Sequence, residues 1–343
     1  MTHCCGGDRM AIQIRRREVI YALGGTAAAW PLASHAQQSD RVRRIGVLMA
    51  LSSDDPEGES RLAALMQGLQ KFGWTEGSNV HTEARFSVDD ADLCRRYAEE
   101  LVALAPDVLV ASASLSVAAL QRVTRSVPIV FANIIDPVGA GFVRSLAHPG
   151  GNTTGFTSFE YSISGKWLEL LKKLAPQTTR IAVLRDPGYT TAIGQFAAIQ
   201  SAASSSSGIE LSVIDSRDVN EIERELATFG REPNGSVIVA GSPSAAAHRK
   251  LIISLLTRYR LPNIYSARYY PADGGLASYG PDAIELHKRA AEYVDRILKG
   301  AKPSELPVQA PTKYELILNL KAAKAMGLEI PASLVTTADE VIE

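Results

Sequence analysis

RRIGVLM at residues 43–49 and RIAVLRDP at 180–187 are two apolar runs of strand type with one pattern, and Ile45 and Ile181 stand 136 positions apart in it. After the first run, Leu62, Leu65, Met66, Leu69 and Phe72 recur at helical spacing, which opens a β-α unit. Residues 80–86 then alternate like a strand, and Leu93, Tyr97, Leu101 and Leu104 mark a second helix. Residues 107–111 read as a buried strand ending in Ser112-Ala113-Ser114, a further helix runs to Thr124, and 128–131 form the next strand. The second run starts the same series: 211–214 answers the second strand, Val219, Ile222, Leu226 and Phe229 the second helix, 236–240 the third strand and 262–265 the fourth. Strands alternating with helices predict a parallel sheet covered on both faces. The expected fold class is therefore α/β, with two doubly wound parallel-sheet lobes. The period is too long for a solenoid.

The chain of 343 residues, 46% hydrophobic and 21% charged, has the composition of an ordinary globular protein of two or three domains. Its formal charge of -1 provides no basic field for nucleic acid or an anionic membrane. Arg15, Arg16 and Arg17, the weakly apolar run 21–33 and Ser34-His35-Ala36 read as a twin-arginine signal peptide over 1–36, cleaved before Gln37, with Met10 as an alternative start. Pro31 and Gly24-Gly25 argue against a buried helix there. Beyond that signal Cys94 is the only cysteine, so no internal disulfide is expected. Segments at 155–160, 275–281 and 303–311 carry turn residues suited to crossing between lobes. They divide the chain into an N-terminal lobe of 41–156 plus about 281–305 and a C-terminal lobe of 157–280 plus about 306–343. Residues 314–326 read as a terminal helix stopped by Gly327.

Open parallel sheets bind ligands beyond the carboxyl ends of their strands, so two facing lobes make a cleft. The strand-end candidates in the first lobe are Ser52 (with Ala50 and Leu51), Ser112, Ser114, Asn133 and Asp136. In the second they are Asp186, Tyr189, Ser242 (with Ser244), Tyr265, Arg268, Tyr269 and Tyr279. Asp186 suits a ligand ammonium, or alternatively the Asp-Pro-Gly turn it opens. Arg268 suits a carboxylate clamp or a surface ion pair, and the tyrosines suit stacking on the ligand or packing in the core. Ser114 starts a helix and is also a natural cap. No G-x-S-x-G elbow, P-loop, H-E-x-x-H or paired-cysteine spacing occurs, and His81, His148, His248 and His287 show no ligand spacing. Residues 136–141 read as a turn opening a helix rather than a nucleotide loop. No catalytic residue, cofactor or metal is expected.

Beyond these patterns the chain resembles the substrate-binding proteins of bacterial ABC importers, in the branch that includes tryptophan- and tyrosine-binding proteins. The likeness is carried by RRIGVLM, DPEGESRLAALMQGLQKFGW (55–74), LAPDVLVAS (104–112), VPIVFANIIDPVGAGFV (127–143), HPGGNTTGFT (148–157), SGKWLELLKKLAP (164–176), RIAVLRDP, GGLASYGPD (274–282) and LPVQAPTKYELILNLKAAKAMGL (306–328). It implies a type I periplasmic-binding-protein fold with three interlobe connections and no catalysis. It further implies that Ser112, Ser114 and Asn133 hold a ligand carboxylate. The expected protein is a periplasmic receptor, a monomer that closes on an amino acid or related carboxylate with an aromatic or branched side chain. Its partners are that small molecule and the permease and ATPase subunits of an importer, with no nucleic acid. Competing readings are an exported enzyme using Asp136 or Asp186 as general base, a ligand-sensing partner of a membrane receptor, and a repressor effector domain. The export signal and the missing helix-turn-helix weigh against the last.

Overall fold

In the computed structural model, which describes residues 41–88, 90–158, 161, 163–206 and 208–343, the two sequence repeats become two sheets. Strands β1 (Arg43–Met49), β2 (Val80–Phe86), β3 (Val108–Ser112), β4 (Ile129–Ile134) and β5 (Thr153–Thr157) form a parallel sheet in the order β2-β1-β3-β4-β5. Strands β6 (Arg180–Arg185), β7 (Glu210–Asp215), β8 (Gly235–Val239), β9 (Asn263–Tyr265) and β10 (Ala277–Pro281) repeat that order as β7-β6-β8-β9-β10. The second sheet is extended by β11 (Tyr314–Asn319), antiparallel to β10, and by β12 (Glu340–Ile342), parallel to β11.

Helices α1 (Pro56–Lys71), α2 (Ala91–Ala103) and α3 (Ser114–Val123) follow the first three strands. Then come α4 (Ile163–Leu174), α5 (Thr190–Ser204), α6 (Val219–Phe229), α7 (Pro243–Ala247), α8 (Arg249–Arg258) and α9 (Tyr269–Ala272) in the second half. Helix α10 (Ala283–Leu298) returns to pack on α1 and β4, and α11 (Leu320–Met326) and α12 (Ala332–Thr337) complete the second lobe. The period-2 pleat explains why both faces are covered. Ile45, Val47 and Met49 of β1 meet Leu65 and Leu69 of α1 and Ala290 and Val294 of α10. Leu48, from the opposite face, shares a core with Leu101 of α2 and Leu120 of α3. In the second lobe Ile181 and Val183 face Trp167 and Leu171 of α4, while Ala182 and Leu184 face Ile222 of α6 and Ile252 of α8. Each fully buried Leu or Ile of this kind contributes about 1.5–3 kcal/mol.

The chain passes between the sheets after β5, after β10 and between α10 and β11. The first and third passages run side by side: Gln309 N–H donates to Gly155 O at 3.0 Å and Thr157 N–H to Gln309 O at 2.9 Å.

Three local expectations need correction. Residues 314–319 are a strand, because their apolar run is buried between β10 and β12; such a run fits either period, and pairing decides. The helix begins only at Leu320, where the Asn319 side chain accepts from Ala322 N–H at 2.8 Å, and it ends at Gly327 with φ +74°. Residues 277–281, expected at a crossing, are β10 itself, and the passage follows Pro281. The turn at 136–141 opens no helix: Asp136 Oδ1 accepts from Gly139 N–H at 2.8 Å and Asp136 takes φ +46°. The signal segment 1–36 lies outside the described residues. Among those residues no helix is long and apolar enough to cross a membrane.

Candidate functional site

The carboxyl ends of the strands of both sheets open onto one cavity of about 310 Å³. Such a volume stands at the small end of the ~300–1,000 Å³ range of small-molecule sites. From the first lobe come Ala50, Leu51 and Ser52 after β1, Val88 after β2, Ser112, Ala113 and Ser114 around the start of α3, Asn133 and Ile135 at the end of β4, and Ser158 after β5. Helix α1 adds Glu57 and Arg61, with Asp55 as its cap. The second lobe supplies Tyr189 and Thr191 at the start of α5, Gly241, Ser242 and Pro243 after β8, Arg249 of α8, and Ser266, Arg268 and Tyr269 after β9.

Backbone geometry aims several of these groups. Asn133 takes φ +63° at an irregularity in the β4–β5 pairing, a conformation that Asn tolerates better than most residues. Ala113 takes φ +76° as the residue before α3 and has no side-chain oxygen to cap it. Ser114 is therefore the first helical residue and not the cap that its residue type suggests. The amide groups opening α3 lack a side-chain acceptor, and the positive end of the helix dipole faces the cavity. In the same cavity lining the Ser158 hydroxyl is buried with no hydrogen-bond partner. Sequence reading passed over Ser158, because an isolated serine after a strand carries no motif.

Ser112 has a defined polarity. His287 Nδ1 lies 2.7 Å from the Ala283 carbonyl, which only an N–H can satisfy, so Nδ1 carries the proton. Burial, reinforced by the positive charge of Arg61, holds the pKa of His287 down at about 3. The ring is neutral, its Nε2 is an acceptor, and the Ser112 hydroxyl donates to it across 3.1 Å. What Ser112 has left to offer is oxygen lone pairs.

Ser52, Ser112, Ser114, Asn133, Tyr189, Ser242, Arg268 and Tyr269 thus line the cavity, whereas Asp136, Asp186, Tyr265 and Tyr279 do not. Asp186 stands behind the wall in its turn: Oδ1 accepts from Gly188 N–H at 2.8 Å and Oδ2 from the Ser244 hydroxyl at 2.9 Å, with Arg217 Nε at 3.7 Å. Asp186, expected as an ammonium partner, is thus engaged in its own turn and absent from the cavity lining. The carboxylates on the wall are Asp55 and Glu57, which α1 places there. Asp136 accepts from the Tyr161 hydroxyl at 2.8 Å, and burial, reinforced by that bond, raises the Tyr161 pKa. Tyr265 is fully buried in a stack on Tyr270, with centroids 4.3 Å apart, and burial pushes its pKa up. Tyr279 stacks on Tyr314 at 6.1 Å, and its carbonyl accepts from Trp167 Nε1 at 2.6 Å. Arg268 faces the cavity but pairs with Glu315 at 3.3 Å and Glu340 at 2.7 Å, so its charge is already balanced. Ser242 caps α7 by accepting from Ala245 N–H at 3.2 Å, and Ser52 bonds Asp54.

Two parallel-dominated sheets with facing strand ends and a cavity between them define a protein of the periplasmic-binding-protein fold. The chain belongs to the ABC transporter substrate binding protein family, whose model matches residues 44–342. It is similar to a solved conserved domain protein from Vibrio cholerae, with 26% identity over 88% of this chain and 100% of that one and a TM-score of 0.81. It is equally similar to an ABC domain from Streptococcus pneumoniae solved in complex with L-Trp, at 26% identity over 88% of this chain and 99% of that one, TM-score 0.80. The tyrosine-binding protein of Clostridioides difficile (strain R20291) is 24% identical over 298 residues, 85% of this chain and 83% of that protein.

Proposed function

We propose that this chain is the solute receptor of an ABC importer, exported to the periplasm, where it takes up a small carboxylate and passes it to a permease driven by an ATPase. An amino acid with an aromatic or branched side chain is the favoured ligand class, and no step of catalysis is involved. The observation that carries this reading is the two-sided lining of the cavity: Ser112, Ser114 and Asn133 from one sheet face Tyr189, Ser242 and Tyr269 from the other. A ligand bound there touches both lobes, and only such differential contact can shift an open–closed equilibrium. The uncapped start of α3, with the Ser114 and Ser158 hydroxyls in the same cavity lining, suits a carboxylate. Tyr189 and Tyr269 add aromatic surface to the lining. The L-Trp complex of the Streptococcus relative supports the same ligand class.

The test is a thermal-shift and calorimetry screen of the protein beginning at Gln37 against amino acids, aromatic acids and small sugars, followed by mass spectrometry of the compound recovered. A ligand at about 100 times its Kd adds ~2.7 kcal/mol of stability. A compound returned chemically changed, or one bound with no change in solution scattering, overturns the receptor reading.

A further inference from the structure

Arg61 escaped the sequence reading because it lies on a helix and not at a strand end, yet it lines the cavity with only 5% of its surface exposed. It sits on α1 one turn beyond Glu57, and its Nε donates to Glu57 Oε1 at 2.9 Å. Among the described residues that is the only hydrogen bond its side chain makes; the terminal nitrogens Nη1 and Nη2 have no protein partner. The other arginines of the wall are committed. Arg249 is held by Asp55 and Asp273, and Arg268 by Glu315 and Glu340, two carboxylates each. Arg61 has one. The terminal fork is left to the cavity, and it has the geometry that grips a carboxylate through two parallel N–H···O bonds.

It shares the cavity lining with Ser112, Ala113 and Ser114 at the start of α3. The Arg61 charge acts on His287, which accepts from Ser112, and Ser112 stands two residues before Ser114. It also acts on Tyr269 of the opposite lobe, together with Glu57 and Arg249. We propose that Arg61 is a ligand-binding residue whose terminal nitrogens hold the acidic group of the ligand against the start of α3, making the site selective for a carboxylate over its neutral counterpart. Ser112, with its proton committed to His287, then accepts from a donor on the ligand next to that acid. This rests on the receptor reading above and adds to it the residue that enforces the acid.

The experiment measures binding of matched acid and amide pairs by calorimetry: L-tryptophan and L-tryptophanamide, L-tyrosine and L-tyrosinamide, indole-3-propionate and its amide. The wild-type protein is expected to favour an acid over its amide by about 100-fold or more, as expected where a site built for a polar group meets an analogue lacking it. Arg61→Gln alone strands the Glu57 carboxylate and threatens folding, so Glu57→Gln/Arg61→Gln, which removes the pair as a whole, is the decisive variant. In it the acid-to-amide ratio is expected to fall to within about threefold while amide binding persists, and Arg61→Lys is expected to retain part of the preference. A folded double variant that keeps the full preference overturns the role of Arg61. A wild-type protein that binds acid and amide alike also overturns it while leaving the receptor reading standing. If no member of the panel binds, the receptor reading for this ligand class fails and takes the proposal with it.

Discussion

Asp55 Oδ2 and Arg249 Nη1 lie 2.9 Å apart and tie the first turn of α1 in one lobe to the start of α8 in the other. Both side chains are largely buried, at 9% and 16% exposure, and both line the cavity. Arg249 is steadied by Asp273 at 2.6 Å and lies over the Tyr269 ring at 5.5 Å. Asp55 has a second duty, since its Oδ1 accepts from Glu57 N–H at 3.0 Å and caps α1. The pair is a direct contact between the two lobes at the cavity wall.

Asp55→Asn is the clean probe of that contact, because Asn caps a helix about as well as Asp while removing the charge. Truncating one partner of a buried charge pair across an interface costs about 2–5 kcal/mol, and some of this loss falls on the closed state alone. Affinity for the ligand is expected to drop roughly tenfold or more, mainly through faster dissociation, and the radius of gyration of the unliganded protein is expected to rise. Stopped-flow release and solution scattering measure the two effects. Unchanged release in Asp55→Asn would show that the bridge does not hold the cleft shut.

The burial of His287 makes a prediction about acid stability. Its folded-state pKa, about 3, lies below the usual histidine value of 6.5, so between these limits the unfolded chain binds a proton that the folded protein refuses. The contribution of His287 is complete above about pH 6.5 and is lost progressively as pH falls from there toward 3. Urea unfolding from pH 7 to pH 4 is expected to show wild-type stability declining by a few kcal/mol, with a flatter profile for His287→Gln. Parallel slopes in the two proteins would mean that other groups govern the acid limb.

Asp186→Ala separates a turn residue from a ligand residue. The Asp186 carboxylate serves Gly188 N–H and the Ser244 hydroxyl from behind the cavity wall. Its removal takes a charged acceptor from those part-buried donors, at a cost of about 1–3 kcal/mol. The melting temperature is expected to fall by several degrees while the Kd at saturable conditions stays within about threefold of wild type. Loss of binding in a variant that still folds at the assay temperature would return Asp186 to the site.

How much was legible in the sequence follows from the range of the forces involved. The repeat beginning at Ile45 and Ile181 announced both sheets, because strand and helix periods are local patterns and each half carries them intact. The strand-end rule led to Ser112, Asn133, Ser242 and Tyr269, which the structure gathers around one cavity. It could not separate Tyr269, which opens α9, from Tyr265, four residues earlier at the end of β9, of which one reaches the cavity and the other stacks on Tyr270. Nor could it find Arg61 or Asp55, whose helical pattern reads as a solvated face until the second lobe lies against it.

The sequence by itself therefore determined the α/β plan, its duplication and the helix stop at Gly327, since these depend on spacing along the chain and on single-residue conformational preference. The tertiary structure alone decided that 314–319 pairs as a strand, that Ser112 is an acceptor and that the cavity carries Asp55 and Glu57 where Asp186 was expected. Those outcomes depend on which groups burial brings together from distant segments, as with Ser112 and His287, 175 residues apart, and hydrogen-bond direction and charge pairing are set only when that meeting is made.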